Sequence, residues 1–124
     1  MENGKKAWYI ADGWIPVKAK SDEVKYEGHE ALIILNCNEC DVKVFMDVYF
    51  EDKAPIKDIV LDVPAERVKC FRMDKPEEIG GIDLGRLYQY SLRVRCEKNI
   101  IVQFGRMDVT QDNCAYIGLM GYSE

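Results

Sequence analysis

Strict alternation of apolar and polar residues is the feature that most restricts how this chain can fold. Segment 42–50 is apolar at every even position, and segment 88–96 repeats the pattern with Arg93 and Arg95 at odd positions. Alternation with a period of two is typical of half-buried antiparallel strands. No segment shows a convincing helical periodicity. The sequence therefore predicts an all-β protein.

Turn-forming residues divide the chain into about eight short strands. Asn and Asp are concentrated between Asn36 and Asp41, and prolines at positions 55, 64 and 76 mark further corners. Runs 31–35 and 100–104 are apolar at successive positions, which indicates deeper burial. We predict a single-domain antiparallel β-sandwich over residues 1–124, with a jelly roll or barrel as related arrangements. The predicted strands are 7–11, 31–35, 42–50, 59–63, 67–73, 88–96, 100–104 and 115–122.

Length, composition and charge limit the functional classes. The 124 residues fit one domain, and 48% hydrophobic with 31% charged residues is ordinary for a globular protein. Neither a signal peptide nor a membrane-spanning stretch is evident, so a soluble, cytoplasmic protein is expected. The net charge of -5 disfavours nucleic acid as a partner. Two basic groups are predicted to be solvated faces of strands: Arg67, Lys69 and Arg72, and Arg93 with Arg95.

The Cys37 and Cys40 pair is the most conspicuous short motif. A structural zinc site needs four ligands, and neither a second such pair nor a second histidine beside His29 is present. A thioredoxin-like motif belongs in a βαβ context, whereas this pair joins two predicted strands. We interpret it as a hairpin turn with free thiols and expect no metal and no cofactor, with metal and redox roles as the alternatives.

Two groups of charged residues are candidates for a site. His29 and Glu30 open a buried strand and must point to opposite faces, so one of them approaches the interior or the rim of the sheet. If the strand continues past Phe104, Arg106 and Asp108 follow its apolar face. A buried guanidinium needs a partner, and either Asp108 or a ligand could supply it. A structural ion pair and a ligand contact both remain open.

The aromatic run from Trp8 to Pro16 allows two interpretations. Trp and Tyr faces stack on sugar rings and Asp12 could accept hydrogen bonds from hydroxyls, but aromatic strands more often belong to the core. The sequence contains no phosphate-binding loop, nucleophile elbow or zinc-protease motif.

An ordered series of motifs resembles the sensory rhodopsin transducer family of small soluble β proteins. The series comprises the Trp8–Pro16 run, His29 with Glu30, Asn36, Tyr49 with Phe50, Asp52 and Pro55, Val63 to Arg67, Tyr90 with Ser91, and Ile101 to Asp108. The resemblance implies a jelly-roll-like sandwich, a homotetramer and a domain that binds a small molecule such as a sugar. It implies ligand-binding roles at Trp8, Asp12, His29, Glu30, Arg67, Gln103, Arg106 and Asp108. Asp12 stands where the transducer has glutamate.

The leading hypothesis is therefore a signalling or sensor domain that binds a small polyol-like metabolite. The second is a protein-interaction adaptor for a membrane receptor or a regulator. An enzyme acting on carbohydrate ranks last, because paired titratable groups on one face are not evident.

Overall fold

The computed structural model of the 124-residue chain describes residues 3–19, 21–22 and 25–124. Within this part the chain forms eight strands and a single 3₁₀ turn at Pro76–Glu78. None of the helical segments described is long and apolar enough to cross a membrane. The strands are β1 (Lys5–Trp14), β2 (His29–Asn36), β3 (Val42–Phe50), β4 (Ile56–Val63), β5 (Arg67–Arg72), β6 (Gln89–Asp108), β7 (Ala115–Met120) and β8 (Tyr122–Ser123).

The strands form two antiparallel sheets that share β6. The first sheet has the order β4-β3-β6-β1-β8, and the second has the order β5-β2-β6-β7. The predicted all-β sandwich is confirmed. Because β6 has two neighbours in each sheet, it is central in both.

The sequence predicts two strands where the structure has the single 20-residue strand β6. The predicted break at residues 97–99 lies where β6 leaves the first sheet and enters the second. Glu97 and Lys98 are exposed there, which interrupts the apolar pattern without ending the strand. Inward-facing residues stay at even positions on both sides of the crossing, from Tyr90 to Phe104.

The core lies between the two sheets and consists of the apolar residues that alternate along the strands. β3 contributes its even positions, β6 contributes both halves of its inward face, and β2 contributes Leu32 and Ile34. Three polar side chains are also fully buried: Glu30, Asn36 and Asp47. Buried polar groups need partners, so each marks a built structural feature.

A bulge in β1 changes which of its residues face the core. Ile10 pairs with Leu92 of β6, but Gly13 pairs with Tyr90, so β1 has one extra residue between them. The buried positions accordingly change from even (Ile10) to odd (Gly13). Such a bulge re-aims the side chains beside it. It leaves Asp12 at the rim of the sandwich.

Candidate functional site

Glu30 is the centre of a polar cluster at one end of the sandwich. Its side chain is fully buried, in β2 opposite Arg106 of β6. One carboxylate oxygen, Oε2, accepts a hydrogen bond from Arg106 Nε at 2.8 Å. The other, Oε1, accepts the backbone N–H of Trp14 at 2.8 Å and the hydroxyl of Tyr90. Three elements, β1, β2 and β6, therefore converge on one carboxyl group.

The cluster alters the acidity of its members. Burial raises the pKa of Glu30, and the hydrogen bonds from Tyr90 and Arg106 oppose that rise. Burial and the neighbouring Glu30 carboxylate raise the pKa of Tyr90 well above its ordinary value. Burial lowers the pKa of Arg106, but the hydrogen bond and charge of Glu30 together with the charge of Asp12 outweigh this, and the pKa is raised. Arg106 and Tyr90 are thus held in their protonated forms as donors to Glu30.

A small pocket of about 190 Å³ opens beside this cluster. Asp12, Glu30 and Arg106 provide polar groups on its wall, and Phe104, Ile117 and Leu119 provide the apolar part. The Arg106 guanidinium lies 5.8 Å from the centre of the Trp14 ring, and its Nη2 is 3.6 Å from Asp12 Oδ1. This arrangement can accept a small ligand that has hydroxyl or carboxylate groups at one end.

A second set of charges holds the loops next to the cluster. Asp74 accepts hydrogen bonds from Arg72 at 2.7 Å and from Arg86 at 3.0 Å. Arg86 also donates to the carbonyls of Pro16 and Gly28, at 2.7 and 2.8 Å. Burial raises the pKa of Asp74, but the hydrogen bond and charge of Arg72 together with the charge of Arg86 outweigh it, so the pKa lies below its usual value. Arg86 therefore ties both ends of segment 16–28 to the sandwich.

The structure brings together three of the predicted site residues: Asp12, Glu30 and Arg106. The prediction that Arg106 needs a partner is confirmed, but the partner is Glu30, and the interpretation of Asp108 as a candidate partner is wrong. Asp108 accepts hydrogen bonds from the backbone and hydroxyl of Thr110 instead, at 2.8 and 2.6 Å. These bonds lower the pKa of Asp108.

The remaining predicted site residues lie outside this cluster. Trp8 is buried, and its Nε1 donates to the carbonyls of Lys5 and Ile100, so it belongs to the core. His29 contacts the carbonyl of Glu27 at 2.9 Å through Nδ1. Gln103 is exposed on the opposite face of β6. Arg67 is paired with Asn36, six residues along β2 from Glu30 or about 20 Å away.

Two members of the cluster were not among the predicted site residues. Trp14 belongs to the aromatic run of β1, and Tyr90 occupies an inward position of β6. The sequence pattern could have indicated Tyr90, because a tyrosine at an inward position is buried and its hydroxyl then usually needs a polar partner. Its partner could not be read from the sequence, since Glu30 lies 60 residues away.

Asp47 forms a separate cluster on the outer face of the first sheet. Its fully buried carboxylate accepts hydrogen bonds from Arg93 at 3.0 Å and Arg95 at 2.8 Å. It also accepts the backbone N–H of Asp58, which has a positive φ of 61° in a bulge of β4. The predicted solvated face for Arg93 and Arg95 is therefore wrong in part: both lie on the outer face, but they are half-buried ion-pair partners.

Cys37 and Cys40 lie in the β2–β3 turn and are exposed free thiols. Among the residues that the structure describes, no three His, Cys, Asp or Glu side chains are grouped to hold a metal ion. Asn36 organises this turn, because its amide donates to the carbonyls of Cys40, Val63 and Pro64.

Comparisons with known proteins agree with this architecture. A family model described as Anabaena sensory rhodopsin transducer matches residues 3–123. The crystal structure of Thermotoga maritima 1070 has a TM-score of 0.84 at 24% identity, covering 98% of this chain and 97% of that one. The Anabaena sensory rhodopsin transducer has a TM-score of 0.72 at 28% identity, covering 86% and 90%. No match is found among curated proteins.

Proposed function

Because the chain belongs to the Anabaena sensory rhodopsin transducer family, we propose that it is a signalling domain that binds a small metabolite beside Glu30 and Arg106. The ligand class that fits is a polyol, sugar or sugar acid. The observation that supports this proposal is the position of the Arg106 guanidinium. The buried Glu30 carboxylate holds it on one side, and its other side lines the pocket.

The chemistry of the pocket supports binding of hydroxyl or carboxylate groups. Arg106 is oriented through Nε by Glu30, so its geometry is set before a ligand arrives, which reduces the entropy lost on binding. Asp12 is 69% exposed and supplies an acceptor for ligand hydroxyls, while Phe104, Ile117 and Leu119 supply the apolar wall. A volume near 190 Å³ suits a molecule smaller than a typical drug.

The surroundings of Glu30 favour binding of a ligand over catalysis. Glu30 is fully buried and engaged by three donors, and His29 next to it projects from the other face of β2. His29 and Glu30 therefore do not form an acid and base pair on one face of β2, which supports binding over catalysis.

Replacing Asp12 by asparagine tests the ligand site without disturbing the buried cluster. Thermal shift and calorimetry with a panel of sugars and sugar acids should identify a ligand of the wild type. Asp12→Asn removes one charged acceptor, so we expect the dissociation constant for that ligand to rise about tenfold or more. Because Asp12 is exposed, the unfolding free energy should change by less than about 0.5 kcal/mol.

Asp62→Asn is the matched control, because Asp62 is similarly exposed and pairs with Lys43 at 3.0 Å, on an outward-facing position of β4. It should bind the ligand as the wild type does. A panel in which no compound stabilises the protein would contradict the proposal, as would unchanged affinity in Asp12→Asn.

A protein-interaction adaptor is the second candidate, favoured by apolar side chains on the outer face of the second sheet. Leu35 of β2 and Val68 of β5 are opposite each other and exposed by 37% and 59%. We propose that a receptor or regulator docks on this surface, and that this chain binds it as a cytoplasmic homotetramer. The adaptor function would be favoured by a partner that binds the wild type stoichiometrically and does not bind Val68→Glu. Sugars should leave this binding unchanged.

A further inference from the structure

Cys37 and Cys40 line the same surface pocket, at the end of the sandwich away from Glu30. Both lie in the turn between β2 and β3, and both are exposed free thiols. The pocket has a volume of about 620 Å³. Its charged lining residues are two lysines and two glutamates: Lys6, Lys98, Glu39 and Glu97. These charges balance, so a small molecule of either sign can approach the thiols without meeting a net like charge.

The chain between the two cysteines is curled around the side chain of Asn36. This side chain is fully buried, and its Oδ1 accepts the backbone N–H of Asn38 at 2.9 Å. Its Nδ2 donates to the carbonyl of Cys40 at 3.0 Å. Asn38 Nδ2 in turn donates to the carbonyl of Asn99 in β6 at 2.9 Å. The turn is therefore held by groups other than the thiols, and its curl brings the cysteines closer together than an extended chain would.

This preorganisation favours a bond between the two sulfurs. The Cys-x-x-Cys spacing is the one that redox-active disulfides use in other folds. Because the folded protein already restricts the segment from Cys37 to Cys40, closing a ring over it loses little further chain entropy.

We propose that Cys37 and Cys40 form a thiol–disulfide exchange site, which closes to an intramolecular disulfide when it reacts with a small disulfide such as oxidised glutathione. One cysteine thiolate attacks a sulfur of the oxidised glutathione, which forms a mixed disulfide and releases a glutathione thiolate. The other cysteine thiolate then attacks the protein sulfur of that mixed disulfide and releases the second glutathione. The protein gives up two electrons and two protons, and the two glutathione molecules take them up as thiols.

The other three cysteines are less suited to this reaction. Cys96 lines a neighbouring pocket together with Cys40, but it is only 8% exposed. Burial raises the pKa of Cys96, which reduces the fraction present as the reactive thiolate. Cys70 lies on β5 and Cys114 lies between β6 and β7, and neither is among the described residues that line the pocket with Cys37.

Equilibration with mixtures of reduced and oxidised glutathione tests the site. The samples are quenched in acid, unfolded, alkylated and analysed by mass spectrometry. In the wild type two of the five thiols should escape alkylation. Glu39 lies between the two cysteines, so cleavage after Glu39 should give two fragments that stay joined until a reductant is added.

Two serine variants separate ring formation from ordinary thiol oxidation. Cys37→Ser leaves Cys40 without its partner, so this variant should accumulate the mixed disulfide with glutathione and no ring. Cys70→Ser is the matched control, because Cys70 is also an exposed free thiol but lies on β5. It should close the ring at the same glutathione concentrations as the wild type.

The same equilibration in concentrated urea measures what the folded turn contributes. With reduced glutathione held constant, the folded protein should close the ring at a concentration of oxidised glutathione about tenfold lower than the unfolded chain needs. Equal concentrations would overturn the proposal. So would a wild type that keeps all its thiols, that forms only mixed disulfides, or that joins Cys40 to Cys96. None of these outcomes involves the pocket beside Glu30, which lies about 20 Å away along β2.

Discussion

Glu30 and Asp47 show two ways of accommodating a fully buried carboxylate. Asp47 is bonded by two arginines and one backbone amide, and although burial raises its pKa, the hydrogen bond from Arg95 and its neighbours bring the pKa below the usual value. Glu30 has one arginine, and burial dominates, so its pKa is raised. The direction of each shift is set by the balance between burial and the hydrogen bonds and charges around the carboxylate.

Glu30→Gln should change how stability depends on pH. A raised pKa in the folded state means that the contribution of Glu30 is fully present below about 4.3, the ordinary glutamate value, and is lost as pH rises through the folded pKa. Glutamine cannot titrate, so the variant lacks this decline. The glutamine also turns its amide N–H₂ toward Arg106 or Tyr90, which are themselves donors. This should lower the free energy of unfolding by about 1–3 kcal/mol at all pH values.

Urea unfolding of both proteins between pH 4 and pH 7 measures this difference. The stability advantage of the wild type should shrink as pH rises. Two curves that run parallel would show that Glu30 keeps its ordinary pKa in the folded protein.

At the scale of the strand, the bulge in β1 depends on a glycine. A Cβ built on Gly13 would lie 2.4 to 2.7 Å from three carbons of the Tyr90 ring. Tyr90 is buried and its hydroxyl bonds Glu30, so the ring cannot move without disturbing the cluster. The close approach of β1 to β6 at this point therefore requires the absence of a side chain.

Gly13→Ala should destabilise the protein by about 1–3 kcal/mol, because it overpacks a buried site. Gly118→Ala is its control: it is also a strand glycine, and a Cβ there has its nearest contact at 3.7 Å, with Tyr116. Thermal unfolding of dilute protein compares the two. Equal melting temperatures for Gly13→Ala and the wild type would mean that the Tyr90 ring can yield without cost.

The strands were predictable because their signal is local. The contacts within the site were not, because they join residues that are far apart in the sequence. Alternation located β3 and both halves of β6, but residues 97–99 suggested a turn that the strand passes straight through. Gly13 is a local signal for the bulge in β1, but the register of that bulge is set by the pairing of β1 with β6. Arg106 was expected to need a partner, yet Glu30 lies 76 residues away, and only the register between β2 and β6 brings them together.

For the molecule as a whole, two carboxylates on separate networks contribute to the loss of stability in acid. Asp47 pairs with Arg93 and Arg95, and Asp74 pairs with Arg72 and Arg86, so the two share no partner. The pKa of each is lowered in the folded state. Their contributions are therefore present above about 3.9, the ordinary aspartate value, and are lost as pH falls through the lowered values.

We expect Asp47→Asn and Asp74→Asn each to lower the unfolding free energy at pH 7 by about 2 kcal/mol and to weaken its decline in acid. Independent networks predict additive effects in the double variant, to within about 0.5 kcal/mol. Denaturant unfolding from pH 3 to pH 7 measures both effects. A double variant that departs from the sum by more than this would indicate that the two networks are coupled.

The position of β6 in the chain has a consequence for synthesis on the ribosome. β6 is central in both sheets, yet it begins only at Gln89 of 124 residues. The pairs β3–β4 and β2–β5 can form while the chain is emerging, but neither sheet is completed until Asp108 has left the exit tunnel. Until then the apolar faces of both sheets lack their middle strand, which leaves apolar surface open to aggregation during that interval.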